Sequence, residues 1–189
     1  KGRKVTLLSL DDGYSPPKTV EMTRQLVEKE QVLAIFSTLG TPTNTAIHRY
    51  LNQKKVPHLF ILSGAAKWND PEKHPWTIMG MPAYRTEAGV YARHILQTRP
   101  NARIAVLVQN DDFGKDYMEG FKRALGDKAK AMIVAEASYE NTDPTVESQM
   151  IQLQNSGADV FFSITLGKHQ SMAIRRANES GWKPQVYIP

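Results

Sequence analysis

The sequence predicts an α/β fold of two doubly wound parallel-sheet lobes in series, and three observations carry that expectation. Short apolar runs alternate with amphipathic helical stretches along almost the whole chain, the pattern of repeated βαβ units. The connections between the runs are long enough for parallel crossovers. The alternation breaks once, at 67–82, where Pro71, Pro75 and Pro82 interrupt it before a new helix begins.

Val5–Leu10 reads as the first strand, and Asp11-Asp12-Gly13-Tyr14 as the turn at its end. Ser15-Pro16-Pro17 starts a helix with Val20, Thr23, Leu26 and Val27 on one face. Val32–Phe36 is β-branched, apolar and too short for a helix, so it reads as a strand. A second helix runs from Pro42 to about Lys54, with Thr41 as its N-cap and Pro42 where a missing N–H costs nothing. His58–Leu62 is a further strand, closed by Ser63-Gly64-Ala65-Ala66. Residues 67–75 form an irregular loop, and Trp76–Met81 a short extended piece.

The second half repeats the alternation. Helices are expected over Thr86–Thr98, from Gly114 to about Leu125, from Asp143-Pro144 to near Gly157, and over Gly167–Ser180. Strands are expected at Ile104–Val108, Ala131–Ala137, Asp159–Thr165 and Gln185–Ile188. The almost wholly apolar Ile104–Val108 is typical of a sheet covered on both faces. The expected organisation is a first lobe at 1–80, a crossover at 81–83 and a second lobe at 84–189.

Composition narrows the function classes. The 189 residues are enough to bury a sizeable core. No cysteine is present, which excludes disulfides, thiolate metal sites and thiol nucleophiles. The net charge of +5 comes from basic residues dispersed through the chain, at Lys1/Arg3/Lys4, Lys54/Lys55, Lys128/Lys130 and Arg175/Arg176. A nucleic-acid binder gathers such residues on one face, so the charge reads as solvated surface with some bias toward anionic ligands. No apolar run is long enough to span a membrane, and direct membrane insertion is not expected. The chain opens on Lys1 without a visible signal peptide, which fits a processed protein or a fragment.

The segment Ile35–Ala46 is the strongest candidate site. A strand ending in hydroxyls runs into a helix N-terminus, where backbone amides and the positive end of the helix dipole favour a small anion such as a carboxylate. Ser37, Thr38, Thr41, Thr43 and Thr45 add polar side chains there. Helix capping alone accounts for the same residues. In doubly wound sheets ligands sit at the carboxyl ends of the strands, which selects loops 11–15, 37–43, 63–68, 110–114 and 165–168. If the lobes face each other, these loops line one cleft.

The remaining signals are weaker. Asp11-Asp12 and Asp111-Asp112 read as turn formers and helix caps. Phe113 stands at what the pattern makes a loop tip, a poor place for core. Trp68 is a candidate wall residue, Trp76 packs under its own loop, and Tyr84 and Arg85 follow the crossover. Histidines 48, 58, 74, 94 and 169 lack metal-binding spacing. No G-x-G-x-x-G, G-x-x-x-x-G-K-[ST] or G-x-S-x-G occurs, so no cofactor, metal or catalytic residue is expected.

An ordered set of segments resembles a known family. It comprises Gly2-Arg3-Lys4-Val5 leading to Asp11-Asp12 and Pro16, the Ser/Thr loop at 37–45, and Val56-Pro57 before Leu59–Leu62. Ser63-Gly64-Ala65, Asp111-Asp112-Phe113-Gly114 and Gly157-Ala158-Asp159-Val160 complete it. In order and spacing these resemble the leucine/isoleucine/valine-type periplasmic solute-binding proteins of ABC importers, which have the type I periplasmic binding fold. The resemblance implies that both lobes are incomplete here. An extra strand and helix would precede Gly2, and more of the second lobe, with a return to the first, would follow Pro189.

The resemblance also implies a site. Gly40 and Thr41 match the positions that hold a ligand carboxylate through an amide and a hydroxyl, with Leu39 and Thr43 beside them. Ser63, Ala65 and Ala66 match the next ligand loop, Phe113 an aromatic that closes from the second lobe, and Thr165 and Leu166 the following loop. The acidic partner of an amino-acid ammonium falls beyond Pro189. The alanines at 65 and 66 replace hydroxyls usual in amino-acid binders. An aromatic or other organic acid is therefore expected ahead of a branched-chain amino acid. The implied role is periplasmic, non-catalytic solute binding with hinge closure and delivery to a membrane permease. A ligand-sensing module of the same fold and an α/β enzyme are the rival readings.

Overall fold

The computed structural model describes residues 2–189. The chain divides into two compact units, Lys1–Met81 and Pro82–Pro189.

In the first unit, α1 (Pro16–Arg24) begins on prolines and continues through a wider turn at Gln25–Lys29. β1 (Ile35–Phe36), α2 (Thr41–Lys54), β2 (His58–Ile61), a tight 3₁₀ turn at Ala66–Trp68 and β3 (Thr77–Met79) follow. The strands pair in parallel in the order β1-β2-β3. Buried Ile35, Ile47 and Leu51 form the core, with Val20, Leu26, Val27 and Val32 packed against it. The alternate strand positions Phe36, Phe60 and Ile78 remain about half exposed, and the rings of Phe36 and Phe60 meet edge to face at 5.7 Å.

Three expectations are corrected in this unit. Val5–Leu10 is not a strand: residues 2–11 adopt no regular structure, and Val5 and Leu7 are 96% and 78% exposed. An alternating apolar pattern becomes a strand only beside a hydrogen-bonding neighbour, and none of the described strands pairs with it. β1 is likewise confined to Ile35–Phe36, the two residues in register with His58 and Leu59. Finally, the N-cap of α2 is Gly40, and Thr41 is the first helical residue.

In the second unit, α3 (Tyr84–Thr98), β4 (Ile104–Gln109), α4 (Asp112–Leu125), a short turn of helix α5 (Ala129–Met132) and β5 (Ile133–Tyr139) are followed by α6 (Glu147–Gln154), β6 (Val160–Ile164), α7 (Gly167–Glu179) and β7 (Gln185–Tyr187). All strand pairs are parallel, in the order β5-β4-β6-β7. The sheet is covered on both faces, as the continuous apolar runs of β4 and β6 require. On one face, Ala105, Leu107, Phe161, Met150, Leu153, Ala173 and Ala177 pack together. On the other, Phe162 meets Phe121 of α4 at 4.8 Å and Tyr91 of α3 at 5.4 Å.

Asp143 does not start a helix. Its carboxylate accepts from the Glu140 amide at 2.9 Å and its own amide donates to the Glu140 carbonyl, closing a turn. α6 begins four residues later, where Thr145 Oγ1 receives the Glu147 amide. The Asp-Pro pair is equally good turn chemistry, and here the turn wins.

Candidate functional site

The first-unit site is built where β1 and β2 end. The Gly40 amide donates to the Leu62 carbonyl at 3.2 Å and the Leu62 amide to the Thr38 carbonyl at 3.0 Å, so loop 38–40 lies alongside the end of β2. Gly40 has φ +100°, a conformation that L side chains rarely adopt. A Cβ there would stand 2.4 Å from Cε2 of Tyr14. The Tyr14 ring therefore rests directly on the Gly40 backbone, and glycine is required both for the turn and for this approach.

Gly40 offers no side chain to cap α2, and no acidic residue stands in the helix's first turn. That leaves the helix dipole uncompensated by protein charge at its N-terminus. The Thr41 and Ser63 hydroxyls meet at 2.7 Å, and the Trp68 indole N–H donates to Ser63 Oγ at 2.8 Å. Trp68 is thus a buried anchor of the Ser63 loop. Thr43 turns its hydroxyl back to the carbonyls of Leu39 and Gly40, and Asn44 Nδ2 donates to the carbonyls of Thr38 and Gly40. These two side chains hold the loop's shape. Asp12 accepts from the Tyr14 amide and from Thr19 Oγ1, and Asp11 from the Gly13 amide, so both aspartates build the turn that presents Tyr14.

The surroundings are electropositive. Lys67 donates to Thr45 Oγ1 at 2.5 Å and lies over the Trp68 ring. His48 packs on Trp68 at 4.8 Å and on His74 at 3.9 Å between ring centroids. Burial, together with His74 and Lys67, lowers the His48 pKa to about 4. Burial, with His48 nearby, lowers that of His58 to about 3. Both rings are therefore neutral near pH 7, and Lys67 carries the local positive charge.

In the second unit the strand order reverses at β4, because β5 lies on one side of it and β6 on the other. The crevice at the carboxyl ends of β4 and β6 is the topological switch point, where such sheets place ligands. α4 and α7 both begin there. Asp111 caps α4, accepting from the amides of Phe113 at 2.9 Å and Gly114 at 3.2 Å. Burial raises its pKa against those hydrogen bonds. Gln109 Nε2 donates to Asp111 at 2.7 Å, the Tyr139 hydroxyl donates to Gln109 Oε1 at 2.9 Å, and the Leu166 amide donates to that same hydroxyl at 3.3 Å. This chain ties the ends of β4 and β5 to the loop after β6. Ser163 and Thr165 share a hydrogen bond at 2.8 Å beside it.

The expected residues thus fall into two groups. Leu39, Gly40, Thr41 and Thr43 share the first-unit rim with the loop that carries Ser63, Ala65 and Ala66; Leu39 and Ala66 retain exposure while the others are buried. Thr165 is buried and Leu166 partly exposed at the second-unit crevice. Phe113 is not at a loop tip: it lies in the first turn of α4, 2% exposed, with its ring against Tyr84 at 5.1 Å and Tyr117 at 5.3 Å. Tyr84 belongs to this same cluster, and Arg85 is ion-paired to Asp116 and Glu119. Tyr14, Lys67, Gln109 and Tyr139 frame the sites without having been singled out. A buried tyrosine at a strand end needs a hydroxyl partner, which was the available signal for Tyr139.

This chain belongs to the periplasmic binding protein family, whose model matches residues 1–189. It is 20% identical to the Leu/Ile/Val-binding protein homolog 7 of Brucella suis over all of its length and 48% of that protein's. A substrate-binding periplasmic protein from Ralstonia solanacearum is similar in structure, with a TM-score of 0.83 at 24% identity over 94% of this chain and 50% of that one. So is the solute-binding protein of an ABC transporter from R. palustris, solved in complex with benzoate, with a TM-score of 0.83 at 18% identity over 100% of this chain and 52% of that one. The chain therefore spans about half the length of the relatives it matches. The fold is that of type I periplasmic binding protein lobes.

Proposed function

We propose that this chain carries ligand-binding loops of a periplasmic solute-binding component of an ABC importer, which takes up a small carboxylate-bearing solute and delivers it to a membrane permease without transforming it. The observation that carries the reading is the uncapped N-terminus of α2, flanked by Gly40, the Thr41–Ser63 hydroxyl pair and Lys67. An anion there meets the helix dipole, hydroxyls and a cation together.

The body of the ligand would meet a different surface. Ala66, which retains exposure, offers a methyl group where an ammonium would need an oxygen partner, and an unpaired buried charge is costly. Leu39 on the same rim adds exposed apolar surface. An aromatic or other organic acid is therefore favoured over a branched-chain amino acid. The benzoate in the R. palustris relative supports this choice, and the Leu/Ile/Val-binding name of the Brucella relative keeps the alternative in the test.

Calorimetry on the full-length protein with benzoate and leucine tests the reading. Benzoate should bind the more tightly, and Thr41→Ala should weaken it by about tenfold, the worth of one charge-assisted hydrogen bond. Tight leucine binding without heat from benzoate would overturn the ligand class. Undiminished benzoate binding by Thr41→Ala would remove the carboxylate from the start of α2.

A further inference from the structure

We infer that the groove between α3 and α4 is a docking surface for an acidic segment of a partner protein. The groove lies wholly within residues 82–189 and is separate from the strand-end loops. Gly120 of α4 meets Arg85 of α3 backbone to backbone: a Cβ on Gly120 would stand 2.5 Å from Arg85 Cα and from its carbonyl oxygen. Beside that crossing, Gly89 and Ala124 leave the space between the helices unfilled. The result is a trough of about 270 Å³, open to solvent, lined also by Thr86, Arg93 and Arg123.

Two of its three arginines, Arg93 and Arg123, lack a carboxylate partner among the described residues. Arg85 is neutralised by Asp116 and Glu119, at 2.8 and 2.7 Å. Glu87, the acid on the same turn of α3, receives the Tyr117 hydroxyl at 2.6 Å. No carboxylate among the described residues lies within ion-pair distance of Arg93 or Arg123. The Arg93 guanidinium lies across Gly89, 3.3 Å from where a Cβ would be, and so over the trough. Two guanidiniums without carboxylate partners among the described residues flank this trough, and arginine forks recognise carboxylates in two-point geometry.

Size and openness decide the kind of occupant. Small-molecule sites occupy roughly 300–1,000 Å³ and enclose most of their ligand. This trough stands at the low end of that range and does not enclose an occupant, being open to solvent, so it suits acidic side chains projecting from another surface rather than a free solute. Arginine is also among the residues that dominate protein interfaces.

The test uses the full-length protein and a fluorescein-labelled helical peptide of alanine and glutamate, followed by anisotropy at low and at high NaCl. Binding should be present at low salt, weaken steeply as salt rises, and fall by about tenfold or more in Arg93→Gln/Arg123→Gln. Benzoate binding by that double variant should be unchanged, which separates this surface from the solute site. Equal peptide affinity in the double variant overturns the proposal. So does displacement of the peptide by inorganic phosphate at concentrations as low as those of unlabelled peptide, or equal binding to phosphatidylglycerol vesicles, since either would make the groove a general oxyanion or lipid site.

Discussion

The hydroxyls of Thr41 and Ser63 lie 2.7 Å apart in the buried interior of the first unit, so the first residue of α2 and the end of β2 are held by one contact. The Trp68 indole shares the same serine oxygen. One side chain therefore sets the helix terminus, the second loop and the tryptophan beneath them.

Ser63→Ala should be destabilising by about 1–3 kcal/mol, because it strands the buried Trp68 indole N–H. Urea denaturation of the full-length protein checks this, and Trp68 fluorescence reports on the same event. Ser63→Thr, which keeps the oxygen, should recover part of the loss.

Gly40→Ala should cost on the order of 1–3 kcal/mol or more, from the +100° φ and from the clash with Tyr14. Adding Tyr14→Ala relieves the clash with the ring but leaves the 2.7 Å approach to Thr43 Oγ1 and the backbone strain. A double-mutant cycle should therefore show a coupling of opposite sign to simple additivity, with the double variant more stable than the sum of the single losses.

Acid should loosen the first unit through its histidines. His48 and His58 have folded pKa values of about 4 and about 3, below the unfolded value of about 6.5. Between these limits the unfolded chain binds more protons, so stability rises with pH. Their contribution is fully present above about pH 6.5 and is lost as pH falls toward 4 and then 3. Chemical denaturation at about pH 7 and about pH 4.5 should show a drop that His48→Asn reduces. His74, Lys67 and the Asp70–Lys73 pair are the ionisable neighbours on this side of α2 and must be held constant in the comparison.

Much of the fold was legible because parallel strands buried on both faces write themselves as continuous apolar runs. β4 and β6 stand within a residue or two of where their composition placed them. Val5–Leu10 carries an equally good pattern and forms no strand, since a pattern specifies which face is apolar but supplies no hydrogen-bonding neighbour. The helix start at α2 was readable to within one residue, and the error matters chemically: with Gly40 at the N-cap, no side chain competes with a ligand for the first turn. Phe113 was misplaced because Asp111 caps α4 immediately, which turns the following aromatic inward. The contact of Tyr14 with Gly40 joins residues far apart in the chain, and no local signal announces it.

The half-exposed rings of Phe36 and Phe60, with Ile78 beside them, govern how this polypeptide behaves as a solute. At low ionic strength, mutual repulsion from a net charge of +5 keeps molecules dispersed despite that oily face. Sulfate screens the charge and, being excluded from protein surfaces, strengthens apolar association at the same time. The two effects act in one direction, so ammonium sulfate should bring this chain out of solution early. Handling it in dilute buffer of low salt is the corresponding remedy.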